Sequence, residues 1–138
     1  MAEQTAAVVL QVYDAWRQKK LDLLPPLLDE SFCLHIHIPT SVHPLGGPCH
    51  GRKAAMERLE SIIGQFDFVS YQIDPLIAVP GRAATQAHLH YVHRETGEHF
   101  NSTLGHFWTL RGGLVVRLDE YHDMGDILTF SEKVVALI

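Results

Sequence analysis

Apolar and polar positions alternate through the last third of the chain in three long runs: Arg82 to Arg94, His99 to Leu110 and Leu114 to His122. A period of two marks half-buried strands, and Glu95-Thr96-Gly97 and Arg111-Gly112-Gly113 read as the turns between them. Phe66 to Val79 is a further extended segment, broken at Asp74-Pro75, where a proline implies an edge or a bulge, and followed by a turn at Pro80-Gly81. Ser31 to Ile38 alternates too, ends at Pro39, and puts His35 and His37 on one face. Runs longer than the usual strand of about 3–10 residues bend, so the sheet is expected to curve and to have a hollow side.

The period changes to that of a helix in residues 3–19, where Ala6, Val9, Tyr13 and Trp16 form an apolar stripe. Asp22 is the expected N-cap of a short second helix, Leu23 to Leu28, with Pro25 in its first turn and Pro26 distorting it. After a loop from Thr40 to His50, Gly51-Arg52 opens a third helix with Ala55, Leu59, Ile62 and Ile63 on its buried side and Gly64 as its stop. Asp126 is the expected cap of a short C-terminal helix that leads into an apolar end, Val134 to Ile138, suited to packing on its own domain or on a partner subunit. The result is an α+β chain, helix-helix-strand-helix and then four mostly antiparallel strands. Residues 1–138 form one domain, with no repeat or linker.

The formal charge of −5 with only 11 Lys plus Arg argues against a nucleic-acid partner, which needs a basic surface. No apolar run reaches the ~20 residues that span a bilayer, and Glu3 and Asp14 break any leader-like stretch, so a cytoplasmic protein is expected. Two cysteines, Cys33 and Cys49, make no disulfide framework and read as inert thiols. Ten histidines change the picture, because imidazole exchanges protons near neutral pH. Besides His35 and His37, His88 and His90 stand at i and i+2 on one strand, and Glu120 and His122 do so on the last. If these pairs face the hollow side they meet in one pocket.

The element order, with three stretches, resembles the cone-shaped fold shared by nuclear transport factor 2, ketosteroid isomerase, the SnoaL-like polyketide cyclases and limonene epoxide hydrolase. Val9-Leu10-Gln11-Val12-Tyr13 with Leu21-Asp22 is similar to the paired helices, His43-Pro44-Leu45-Gly46-Gly47 with His50-Gly51-Arg52-Lys53-Ala54 to the loop and helix start, and Glu120-Tyr121-His122-Asp123 to the closing strand. The resemblance covers nearly the whole chain and implies a cone-shaped sheet whose concave side is covered by the three helices of the N-terminal half. Against the epoxide hydrolase pattern, His35 and His37 match the water-positioning tyrosine and asparagine, His88 and His90 the arginine and aspartate, and Glu120 the other catalytic aspartate. The orienting arginine is absent, which departs from epoxide opening. Tyr13 is similar to the oxyanion tyrosine of ketosteroid isomerase, whose general-base aspartate has no counterpart here.

From these residues the expected function is cofactor-free acid/base catalysis on a small, largely apolar molecule: hydrolysis, isomerisation or cyclisation. Glu120 is the expected base, its pKa raised by burial, with His88 or His90 as acid. Glu120 facing solvent, or making a structural ion pair with Arg117 or a histidine, is the plain alternative. Tyr13, Trp16, His35, His37, His106, Trp108 and His122 are the expected ligand-binding set, with His122 at the rim; His106 and Trp108 share a face with Leu104, and either face fits the pattern. Two other functions use the same residues: a non-catalytic binding or dimeric interaction module, and a metal site built from His35, His37, His88, His90 and Glu120. The expected partners are a small molecule and, by the habit of the fold, a second copy of the chain.

Overall fold

The structure, a computed structural model, describes residues 1–137. Helix α1 (Ala2–Arg17) leads through two single 3₁₀ turns (Leu21–Leu23 and Pro25–Leu27) into strand β1 (Leu28–His37). The short strand β2 (Gly47–His50) and helix α2 (Arg52–Gln65) follow, then β3 (Phe66–Ile73), β4 (Ile77–Val79), β5 (Arg82–His93), β6 (His99–Arg111), β7 (Leu114–Tyr121) and helix α3 (Met124–Leu137). The strands form one curved, unclosed sheet in the order β2-β1-β7-β6-β5-β3, with β4 paired to β5. All pairs are antiparallel except β1 with β7.

The sequence differs from this in four local places. Pro25 and Pro26 have no amide hydrogens for α-helical bonds, so the second helix is reduced to the two 3₁₀ turns. The end of the loop before α2 pairs with β1 as β2, which gives the sheet an unforeseen edge. Helix α2 runs one residue past Gly64. At α3 the capping carboxylate is Asp123, which accepts the Asp126 amide at 2.9 Å, while Asp126 accepts the Ser102 hydroxyl instead. Val134 of the apolar end packs against the core, and Ile138 lies outside the described residues.

The hollow side is filled from both directions. Phe32, Leu34 and Ile36 of β1, Leu89 and Tyr91 of β5, Phe100, Leu104, His106 and Trp108 of β6 and Leu118 of β7 point inward and are buried. Helix α1 lays Val9, Val12, Tyr13 and Ala15 over them, all buried. Thr5 fixes the start of this helix to the β4–β5 turn by accepting the Gly81 amide at 3.0 Å. Arg52 at the start of α2 donates to the carbonyls of Pro25 and Leu28 at 3.4 and 3.2 Å, tying that helix to the 3₁₀ turn. Each inward aliphatic or aromatic side chain contributes roughly 1.5–3 kcal/mol when fully buried, which sets the strand parity.

Candidate functional site

Strand β6 lies directly opposite β7, with His106 across from Glu120 and Trp108 across from Leu118. The register shifts by one between Thr109 and Leu110, and that bulge is what turns Glu120 to the same inner face as His106. Trp108 Nε1–H donates to the Tyr13 hydroxyl at 3.0 Å, and Tyr13 Oη lies 2.5 Å from His106 Nδ1. His106 Nε2 is 2.8 Å from Glu120 Oε1, and His122 Nε2 is 2.7 Å from Glu120 Oε2. Tyr13, His106 and Trp108 are each 2% exposed, so the chain of bonds is closed to solvent at that end.

Chemistry fixes the direction of these bonds. Burial pushes the Glu120 carboxyl up, but the charge His122 carries when protonated and the hydrogen bonds from His106 and His122 outweigh it and hold the group well below the usual carboxylate range. An ionised carboxylate only accepts, so both imidazoles donate from Nε2. A neutral His106 then accepts from the Tyr13 hydroxyl through Nδ1, and Tyr13 accepts from Trp108. The Tyr13 hydroxyl is held protonated, its pKa driven up by burial. His122 is left with Nδ1, which is buried and has no hydrogen-bond partner among the described residues.

These groups stand on the wall of a partly open cavity of about 130 Å³ on the hollow side of the sheet. Its surroundings are apolar and aromatic, with Trp16, Phe66, Tyr71 and Tyr91 among them, and its polar lining groups include His43, His106, Glu120 and His122. Trp16 Nε1–H donates to the Tyr91 hydroxyl at 3.1 Å, and Phe68 stacks on Tyr91 at 4.3 Å between ring centres. A cavity of this size and lining suits a small ligand with few polar atoms.

Residues 9–118 match the SnoaL-like domain. The chain belongs to the SnoaL-like family. No curated protein matches it. Among solved structures it is similar to a candidate isomerase from Rhodopseudomonas palustris (15% identity over 91% of this chain and 96% of that one, TM-score 0.83). It is similar also to an LEH-like epoxide hydrolase of M. tuberculosis (13%, 99% and 96%, TM-score 0.77). A third is a candidate polyketide cyclase from Xanthomonas campestris pv. campestris (16%, 94% and 98%, TM-score 0.76). At these identities the likeness shows the fold. Glu120 and His122 fall just beyond the matched SnoaL-like segment.

On this SnoaL-like frame the expected site residues divide between two faces. Tyr13, Trp16, His106, Trp108, Glu120 and His122 line the cavity. His88 and His90 do not reach Glu120: they point outward from β5, because Ala87, Leu89 and Tyr91 take the buried side. His88 bonds Thr103 Oγ1 at 3.0 Å and Asp74 Oδ1 at 2.9 Å, and His90 Nε2 lies 2.6 Å from His99 Nδ1. His35 and His37 also face outward, stacked at 3.7 Å, with Asp119 2.9 Å from His37 and bound twice by Arg117 at 2.8 Å. Their nitrogens and an Asp119 oxygen lie within 4.8 Å of one another, which brings together only His35 and His37 of the five expected metal ligands and adds Asp119. The Arg117 guanidinium already occupies that carboxylate.

The pKa expected for Glu120 is reversed, since two imidazole donors outweigh burial. His43 lines the cavity and was not foreseen as a site residue. Its proline-flanked loop offered one signal, the closeness of His43 to the Gly46-Gly47 turn.

Proposed function

We propose that this SnoaL-like protein is an acid/base enzyme acting on a small, largely apolar molecule in the inner cavity, with His122 taking and returning the proton and Glu120 orienting it. The observation that carries this reading is the His122 ring, whose Nε2 is 2.7 Å from a buried carboxylate while Nδ1 stands buried and unpartnered among the described residues. A carboxylate behind an imidazole fixes the tautomer and stabilises the imidazolium formed when the free nitrogen takes a proton. Glu120 itself is a poor base, because both its oxygens already accept N–H donors. His106, Tyr13 and Trp108 hold the carboxylate from the far side. The reading needs no cofactor, since side chains supply the proton acceptor and its anchor. The epoxide hydrolase, isomerase and cyclase names of similar structures keep hydrolysis, isomerisation and cyclisation as the reaction types.

The test is a turnover screen over small epoxides, cyclic enones and aromatic β-ketones, followed by His122→Gln on whichever substrate reacts. The expected result is a fall in kcat of about 10²- to 10⁴-fold with ligand binding retained. Unchanged turnover would leave a binding module as the reading.

A second copy of the chain is the partner that the outer face supports. Phe107 and Tyr121 stand there edge to face at 5.7 Å, 49% and 45% exposed. Sedimentation should show a dimer that Phe107→Glu with Tyr121→Glu converts to monomer; a wild-type monomer at high concentration would contradict it.

A further inference from the structure

Between β1 and β2 the chain makes a compact loop that the proton transfer proposed above does not use. The Val42 and His43 amides both donate to the Pro39 carbonyl, at 2.9 and 3.1 Å, and the Gly46 amide donates to the His43 carbonyl at 3.0 Å. Gly46 sits so close to Ile38 that a Cβ there would lie 2.2 Å from the Ile38 carbonyl oxygen. From α2, Arg58 donates to the carbonyls of Gly46 and Gly47 at 3.2 and 2.7 Å. The loop is therefore pinned from three sides, and it holds the His43 ring on the cavity wall.

The ring's tautomer is pinned as well. The Leu45 amide donates to His43 Nδ1 at 3.1 Å. A backbone amide cannot accept, so Nδ1 carries the lone pair and Nε2 carries the hydrogen. Burial, the largest cause, pushes this imidazole down from its ordinary value and so favours the neutral ring. Nε2–H makes no hydrogen bond among the described residues. A half-buried N–H that is fixed in direction, uncharged and without a protein partner is a donor held ready for a ligand.

We propose that His43 binds an uncharged acceptor oxygen of the ligand through Nε2–H, so that the cavity selects small aromatic or alicyclic carbonyl compounds. This rests on the cavity being the ligand site and sharpens what it takes. Both rings line the cavity, and with His122 neutral, as the proton transfer proposed above requires, the two offer opposite polarity: His122 Nδ1 accepts and His43 Nε2–H donates. A molecule with an oxygen for one and a removable hydrogen for the other fits both. A carboxylate ligand finds no cation at His43 and meets the negative charge of Glu120, so neutral ligands are preferred to anions. The cavity, about 130 Å³, matches a single ring with one short substituent.

The test compares acetophenone with α-methylstyrene, which has the same shape with CH₂ in place of the carbonyl oxygen, and with benzoate, by calorimetric or NMR titration of the full chain. Wild type is expected to bind acetophenone about 5- to 10-fold more tightly than α-methylstyrene, the worth of one hydrogen bond, and benzoate more weakly than acetophenone. His43→Phe should bring the two neutral probes to within about twofold, and His43→Gln, which keeps an N–H, should restore part of the preference. Tyr71 and Tyr91 are the rival donors, because both line the cavity, the Tyr71 hydroxyl makes no hydrogen bond among the described residues, and the Tyr91 hydroxyl accepts from Trp16 and keeps its own hydrogen. A preference that survives His43→Phe, whether or not it disappears in Tyr71→Phe or Tyr91→Phe, would overturn the assignment to His43, as would equal wild-type affinity for the two neutral probes. Binding of none of the probes would overturn the cavity as ligand site and this proposal with it. A ¹⁵N spectrum of wild type that puts the His43 hydrogen on Nδ1 would overturn the donor role even if a variant misfolds.

Discussion

On the inner face of the sheet, His106 and His122 share one buried carboxylate, Glu120, and the chain of bonds continues through Tyr13 to Trp108. On the outer face, His35, His37, Asp119 and Arg117 make a cluster of similar composition, and His88 pairs with Asp74 farther across the sheet. The residue types are the same and the settings are opposite. Outside, every carboxylate has water or a guanidinium to share its charge, and the Asp119 carboxyl is lowered to about 2, first by Arg117. Inside, Glu120 depends on two imidazoles, and one of them keeps a nitrogen with no protein partner among the described residues. What separates a candidate site from a structural ion-pair cluster here is burial with an unfilled valence, rather than the presence of histidine and carboxylate.

The widest split between the faces is expected on deleting the carboxylates. Glu120→Ala leaves two imidazoles without their acceptor in an apolar setting and should lower the denaturant-unfolding free energy by about 3–5 kcal/mol. Asp74→Ala, on a pair whose members are 47% and 49% exposed, should change it by less than about 1 kcal/mol. Similar losses for both would erase the distinction. Tyr13→Phe comes next: it strands the Trp108 N–H and His106 Nδ1, both buried, at a cost of about 1–3 kcal/mol in the same assay.

Acid titration sharpens the outer side. The folded-state Asp119 carboxyl is depressed from 3.8 to about 2, so its contribution is fully present above pH about 4 and is lost as the pH falls towards about 2. Arg117 is 42% exposed and screened, so Asp119→Asn should flatten the acid limb of the stability curve by only about 1 kcal/mol. An unchanged limb would mean the Arg117 pair is not populated. The smallest effect belongs to His88→Ala and His90→Ala, expected within about 0.5 kcal/mol of wild type in thermal unfolding and without effect on probe binding. A loss of binding in either would return them to the site.

The helices, the long strands and their turns were legible because apolar period and turn residues are local properties. The parity of β1 and β5 was legible too. Phe32, Leu34 and Ile36, like Ala87, Leu89 and Tyr91, form the apolar rows that a buried face requires, which sends His35, His37, His88 and His90 outward. The i, i+2 pairing of those histidines, read as pocket-facing and matched to an epoxide hydrolase pattern, turned them inward against that simpler rule. On β6 the same rule puts His106 in the row of Phe100, Leu104 and Trp108. Its partnership with Glu120 was not legible, because it depends on the bulge between Thr109 and Leu110, and no proline or glycine marks that position. The inverted pKa of Glu120 followed from the same gap: burial and a pairing with some histidine could be foreseen, but not that two imidazoles, His106 and His122, would both face the carboxylate.

The central claim is that His122, anchored by Glu120, offers a free nitrogen to a ligand in the cavity. The most direct measurement is a titration of phenol, one apolar ring with one O–H, into ¹⁵N-histidine-labelled protein at neutral pH. The account predicts that wild-type His122 shows hydrogen on Nε2 and none on Nδ1, and that phenol moves the His122 Nδ1 resonance upfield while His88 and His90 stay still. A His122 with its hydrogen on Nδ1, or a resonance indifferent to phenol while the ligand binds, would contradict it.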